Sequence, residues 1–423
     1  MMACYHSKVS FDRRARGHTS AVASVAASPR VLSITLPQTF SAFNVNFITI
    51  LDTIMDVRHY HGSDVHVVRA CHTGDGAGLV AIGGMHSVQV LQTTPTSCKV
   101  IANFHIGCQI TALAWSPKST SPSFTDEWDI ELVAAGSERS LYLLTKTSST
   151  EEDIFIYGGG LSGHHAKIND ISYAGGESDI SHRFVASVSD DRTLLIWDLT
   201  PEVKIPSPGS PESDGSDAPS RPQPTAYPIA FPHPLASVSS HPSTSKDLLV
   251  ADNRGSLFVV DWRTDENERA SWRNSSIVEL VEPHALADAA CGVSKTWSAS
   301  AAWRADSADI IGATYGSKFA LWDLNKLNGG KPTMSGTSFT EGGNRFRWCP
   351  TFPEYFGIST NSPTKGAVIN VHNTTYIHTE PNSFAIAPRP LFVRDFDFLS
   401  TPGIPRIVAA VGREVVMFSI GVE

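Results

Sequence analysis

Beyond residue 55 the chain alternates short apolar runs with clusters of Gly, Pro, Ser, Asn and Asp, a pattern that predicts strands joined by turns rather than helices. Strands are expected at 56–61, then at 65–70, 79–84, 88–91 and 99–104, and at 110–115, 131–136, 141–144 and 154–157. A third group takes 167–173, 183–188, 193–199 and 226–231, and a fourth takes 236–240, 247–251, 256–261 and 277–281, with a short helix at 283–290. The fifth (296–303, 310–314, 319–324) and sixth (345–348, 355–359, 367–372) show three strands each, and so does the last (392–398, 407–411, 415–420). The strand left over at 56–61 can complete the last group and leave no open sheet edge. The expectation is an all-β chain, a seven-bladed propeller closed by an N-terminal strand pairing with the last blade.

The third group carries the strongest signal. Gly163-His164 is followed, at the spacing of one four-stranded repeat, by Trp197-Asp198, with Ser-Asp-Asp-Arg-Thr at 189–193 forming the turn before the last strand. This reads as one WD40 repeat. Its residue types predict a buried hydrogen-bond network, with His164 on the loop into the blade, Ser187 on the second strand, Asp191 in the hairpin turn and Trp197 on the third strand. Asp191 would accept from its own turn and from the imidazole, and Ser187 would bridge imidazole and indole, so that each buried donor meets an acceptor. Ser, His and Asp together also invite a hydrolase triad. Here the serine lies in mid-strand rather than on a nucleophile elbow, which favours the structural role. Related strand endings recur at Trp115-Ser-Pro117, Ser240-His-Pro242, Trp303 and Trp348-Cys-Pro350, whereas Trp128-Asp129 falls between predicted strands. The glycine-rich 74–78 links two strands with no helix to present N–H groups to a phosphate, so it reads as a turn.

Composition narrows the function. Apolar residues are 41% of the chain and charged residues 18%, enough for a large core. The net charge of −9 and the absence of basic runs argue against general nucleic-acid or anionic-membrane binding. Six scattered cysteines lack metal or disulfide spacing, and no catalytic, cofactor or metal motif is found. No apolar run is long enough for a membrane helix, and the sequons at Asn274 and Asn373 follow no secretory signal.

Two segments stand outside the propeller pattern. Residues 1–54 form a basic, Ser/Ala-rich extension with one acid, Asp12, in the first fifty; they read as disordered or as a gene start placed ahead of Met55, in preference to a transit peptide. Residues 55–423 would then be the propeller. The stretch 200–224 has seven prolines and no aromatic residue, too little apolar surface to offset the entropy of ordering, and is expected to be a disordered loop. Within it Ser207-Pro208 and Ser210-Pro211 fit proline-directed phosphorylation.

The order of short strings beyond residue 60 resembles the nucleoporin thirty-seven family, the small WD40 propellers of the nuclear pore Y complex. The strings are 64–68, 79–84, Phe104-His-Ile-Gly107, Ile110 to Pro117, Leu161-Ser-Gly-His164 with 187–193, and Arg345-Phe-Arg-Trp348. The resemblance implies a non-enzymatic scaffold subunit at the nuclear envelope. It would dock through its propeller surface on a large propeller-plus-solenoid nucleoporin, beside other Y-complex subunits, and contribute to mRNA and protein transport. Two competing readings make different demands on the ring centre. A substrate receptor or histone-peptide reader in another nuclear complex would want an acidic channel; a propeller hydrolase would want convergent polar residues with shifted pKa values.

Overall fold

The computed structural model describes residues 56–176, 180–201, 222–263, 276–292, 298–327 and 329–421, all within the unit Ile54–Glu423. Among them, 28 strands form seven four-stranded antiparallel sheets arranged as the blades of a propeller. Blades 1 to 6 take residues 67–105, 110–157, 168–230, 235–281, 299–337 and 345–387 in chain order. Blade 7 combines Val393–Phe398, Arg406–Val411 and Glu414–Ser419 with the strand Val57–Tyr60, which pairs antiparallel to the last of them, Val57 opposite Met417. Helix is scarce; Pro283–Ala290 is the one α-helix among the described residues.

Burial follows strand position. The second strands Leu79–Gly83, Phe184–Ser189, Tyr355–Ser359 and Arg406–Val411 are buried at every residue and the other three at nearly every one, because a neighbouring blade covers each face. They therefore read as continuous apolar runs with no alternation. Outer strands such as Thr225–Ala230 and Asn382–Ala387 are largely exposed and carry polar residues or proline, which blunts an open edge.

Two outer strands escaped the sequence pattern: Met334–Thr337 completes blade 5 and Asn382–Ala387 completes blade 6. Both are short and exposed and bury little, so neither leaves an apolar signature. Trp128-Asp129 also needs correction, since the strand Asp129–Gly136 starts at its aspartate. Trp128 packs on the core shared by blades 1 and 2, so this dipeptide opens a strand instead of ending one.

Candidate functional site

The structure brings His164, Ser187, Asp191 and Trp197 together in blade 3. The tight turn at 189–192, with Arg192 at φ 68°, aims Asp191 back at the loop before the blade. His164 Nδ1 lies 2.9 Å from Asp191 Oδ2, and Nε2 lies 2.8 Å from Ser187 Oγ. The Trp197 indole donates to the same hydroxyl at 2.9 Å. These contacts assign the protons: Nδ1–H donates to the carboxylate, and the serine donates to Nε2 while accepting from the indole. Asp191 also accepts from the backbone N–H groups of His165 and Thr193. Thr193, which the sequence pattern did not single out, adds its hydroxyl to Asp191 at 2.5 Å.

Backbone sterics complete the motif. A Cβ on Gly163 would lie 1.7 Å from the Gly158 carbonyl oxygen, and one on Gly158 would lie 2.8 Å from the Trp197 ring, so the loop can close over the indole only with glycine at both places. Burial lowers the His164 pKa although Asp191 pulls the other way, so the imidazole is neutral at pH 7. Hydrogen bonds, chiefly from Thr193, hold Asp191 below its ordinary value against the effect of burial. Ser187 is completely buried, its hydroxyl engaged on both sides. A buried serine locked between imidazole and indole has no room for a substrate carbonyl, so this Ser-His-Asp set joins loop, turn and strand.

A second constellation, which sequence reasoning missed, occupies the ring centre. On the innermost strands, side chains of one blade accept backbone N–H groups from the next. Asp395 and Asp397 of blade 7 accept from Val68 and Ala70 of blade 1, each at 3.1 Å. Asp170 of blade 3 accepts from Val238 at 3.3 Å, Ser237 and Ser239 of blade 4 accept from Ala301 and Trp303, and Ser300 of blade 5 accepts from Phe346. The usable signal was a short polar residue at every second position of an otherwise apolar inner strand, since alternate residues face one side. Arg69 spans this hoop, 2.5 Å from Asp395 and 3.1 Å from Asp170. From blade 6, Arg345 and Arg347 approach the other Asp395 oxygen at 3.3 and 3.6 Å without forming a hydrogen bond.

The charges at the centre shift one another. Burial disfavours the Arg69 cation, but Asp395, Asp170 and Asp397 outweigh that and hold its pKa above the ordinary value. Arg347 is pushed down to about 10 by burial and by the neighbouring Arg69 cation. Asp397 is held low, despite burial, by His72 and the arginines. The centre is thus mixed in charge rather than acidic, which withdraws the support a histone reader would have drawn from an acidic channel. Convergent groups with shifted pKa are present, as the hydrolase reading asks, but no nucleophile is activated among the described residues. His72 Nε2 meets the Phe398 carbonyl and Asp397, and His241 Nδ1 accepts from Ser243 and Thr244 N–H groups.

The candidate phosphorylation sites Ser207 and Ser210, most of the 200–224 insert and the 1–54 extension lie outside the described residues. The described surface exposes Ile156 on the outer strand of blade 2, Leu161 on the turn after it, and Ile277 and Val278 on the outer strand of blade 4.

The pattern of the WD domain, G-beta repeat family matches residues 157–198, which run from the end of blade 2 through the third strand of blade 3. The chain is 23% identical over 332 residues to nucleoporin Nup37 of Mus musculus, covering 75% of this chain and 83% of the mouse protein. It is 23% identical over 318 residues to nucleoporin Nup37 of Homo sapiens, covering 72% and 79%. An uncharacterised WD repeat-containing protein of Schizosaccharomyces pombe is 33% identical over 127 residues, 29% of this chain and 26% of that protein. With one repeat that matches the WD domain, G-beta repeat model, its hydrogen-bond network intact, and seven blades around a ring, the chain is a seven-bladed β-propeller that carries a WD40 repeat and is similar over most of its length to nucleoporin Nup37.

Proposed function

We propose that the protein is a non-enzymatic scaffold subunit of the nuclear pore complex, in its Y complex. It docks through its propeller surface on a large propeller-plus-solenoid nucleoporin and contributes to pore assembly and nucleocytoplasmic transport. The observation that carries this reading is the similarity to nucleoporin Nup37 over three quarters of the chain. The fold and the relatives' names point to a protein-interaction module, and the physical picture supports it. Networks within blade 3 and between inner strands fix the frame, while loops and outer strands are free to vary and to make contacts. The exposed apolar side chains Ile156, Leu161, Ile277 and Val278 offer such contacts. By the same reading the 1–54 extension and the Pro/Ser-rich insert are accessory to docking, and Ser207 and Ser210 are regulatory phosphorylation sites.

The test is co-elution of the purified protein with the large Y-complex subunit of the same organism, without nucleotide, metal or nucleic acid and with or without residues 1–50. A stable complex in both forms is expected. Failure to co-elute, together with binding of modified histone peptides, would overturn the scaffold reading in favour of a reader.

A further inference from the structure

The third and outer strands of blade 2, Leu141–Thr147 and Asp153–Tyr157, are joined by the turn Ser148-Ser-Thr-Glu-Glu152, exposed at every residue. Three hydroxyls there run directly into Glu151-Glu-Asp153, the longest acidic run in the chain. We infer that Ser148 is a phosphorylation site for an acid-directed serine/threonine kinase, one whose substrate groove is lined with basic side chains. The inference does not depend on the scaffold reading, and it concerns a different kinase class from the proline-directed one that fits Ser207 and Ser210.

The hydroxyls of the turn differ in what already engages them. Thr147 Oγ1 accepts the N–H groups of Ser149 and Thr150 at 3.3 and 3.1 Å and lies 3.2 and 2.9 Å from their hydroxyls, so both side chains fold back onto the turn. Thr150 Oγ1 also accepts from the Thr147 N–H at 3.0 Å. Ser148 is exposed, and its hydroxyl makes no hydrogen bond among the described residues. Its backbone N–H donates to the Trp128 carbonyl at 3.0 Å, which holds the residue at the rim of the blade. Ser123, followed by Asp126 and Glu127, is the nearest rival, but its hydroxyl already accepts from Gln92 Nε2 at 2.7 Å.

The carboxylates differ in the same way. Glu152 is held by Lys146 at 2.6 Å and by the Asn103 N–H at 3.4 Å. Glu151 and Asp153, three and five residues past Ser148, are exposed, and their side chains pair with nothing among the described residues. Free carboxylates on the C-terminal side of a free hydroxyl are what a basic groove reads, because charge pairs decide which segment is oriented for transfer. In the step, the Ser148 oxygen attacks the terminal phosphorus of a nucleoside triphosphate. A P–O bond forms there, the bond to the bridging oxygen breaks, the diphosphate leaves, and the hydroxyl proton passes to the kinase's base. The product adds about two negative charges at the head of the outer strand that carries the exposed Ile156.

The test uses the native full-length protein with ATP and casein kinase II as the acid-directed probe, beside protein kinase A, whose groove is acidic. Mass spectrometry follows phosphate in the peptide spanning residues 147–157. Casein kinase II should phosphorylate Ser148, and protein kinase A should leave this peptide unmodified. Ser148→Ala should abolish the phosphate there, and Glu151→Gln should slow its incorporation at least threefold with Ser148 in place. Both positions are exposed, so neither substitution should move the melting temperature, and a lower rate then reports recognition and not unfolding. Phosphate on Ser149, Thr150 or Ser123 with Ser148 bare, modification of heat-unfolded protein alone, or a rate indifferent to Glu151→Gln would overturn the assignment.

Discussion

Blades 3 and 6 solve the same problem with opposite chemistry. In both, the residue one place before the end of the third strand faces the second strand of its own blade: Trp197 pairs with Val185 and His372 with Phe356. In blade 3 that position holds an indole whose N–H enters a closed relay through Ser187 and His164 to Asp191. In blade 6 it holds an imidazole stacked 5.0 Å from Phe356 and tilted against Phe319 at 4.8 Å, within a pile that adds Phe346 and Trp348. No hydroxyl completes a relay there: Ile358 sits three residues into its strand as Ser187 does in blade 3, and His372 Nε2 is buried without a partner. Blade 3 is held by directed bonds that fail if one member is lost. Blade 6 is held by apolar area, which tolerates exchange of shape for shape but not charge. The first kind leaves a sequence motif and the second leaves none.

The largest expected effect breaks the relay. Trp197→Ala should destabilise the protein by about 3–5 kcal/mol, from lost area and a cavity, and Asp191→Ala by about 2–3 kcal/mol, from unpaired donors. Thermal or chemical denaturation measures both, and an unchanged melt for either variant would remove the network from the account.

Next comes acid, which should find blade 6 first. Burial lowers the His372 pKa to about 4 from its ordinary 6.5, so between these values the unfolded chain binds a proton the folded chain refuses. Stability contributed by this residue is therefore complete above pH 6.5 and lost as pH falls towards 4, on the order of 3 kcal/mol in all. His372→Phe keeps the stack and removes the titrating group, so it should flatten that part of the stability profile by one proton. A profile identical to wild type would place the acid sensitivity elsewhere, His61, His66, His164 and His241 being the other histidines whose pKa burial depresses.

Smaller effects come from the hoop and the insert. Ser237→Ala removes the acceptor for the buried Ala301 N–H and should cost about 1–3 kcal/mol, against nearly nothing for an exposed serine. Deleting residues 206–221 should leave the melting temperature within a degree or two, since closure entropy changes slowly with loop length, and limited proteolysis of the full chain should cut there first.

Much of the ring could be read from residues, because second and third strands are buried on both faces and must be apolar. The four members of the blade 3 network were legible because a directed relay admits few residue types and fixes their spacing. Thr193 was missed since a threonine after a turn is ordinary strand composition. The outer strands Met334–Thr337 and Asn382–Ala387 were illegible, being exposed ribbons whose pairing comes from a neighbour and not from their own composition. The central hoop was missed for a different reason. Its acceptors pair Asp395 with Val68 and Asp170 with Val238, across sequence separations that only the closed ring brings into contact. Arg347 likewise reads as one more polar residue in an inner strand until the ring places it 3.6 Å from the Asp395 oxygen that Arg69 does not use.

If the propeller surface binds the proposed partner, the blade 3 relay serves only to stiffen the ring. The direct measurement is calorimetric titration of the purified protein against its proposed large nucleoporin partner, wild type beside Ser187→Ala, at a temperature below both melting points. Equal affinities are expected, although the variant should melt several degrees lower. Loss of binding in Ser187→Ala with an unchanged melting temperature would contradict it, because the serine would then be acting on the partner and not on the fold.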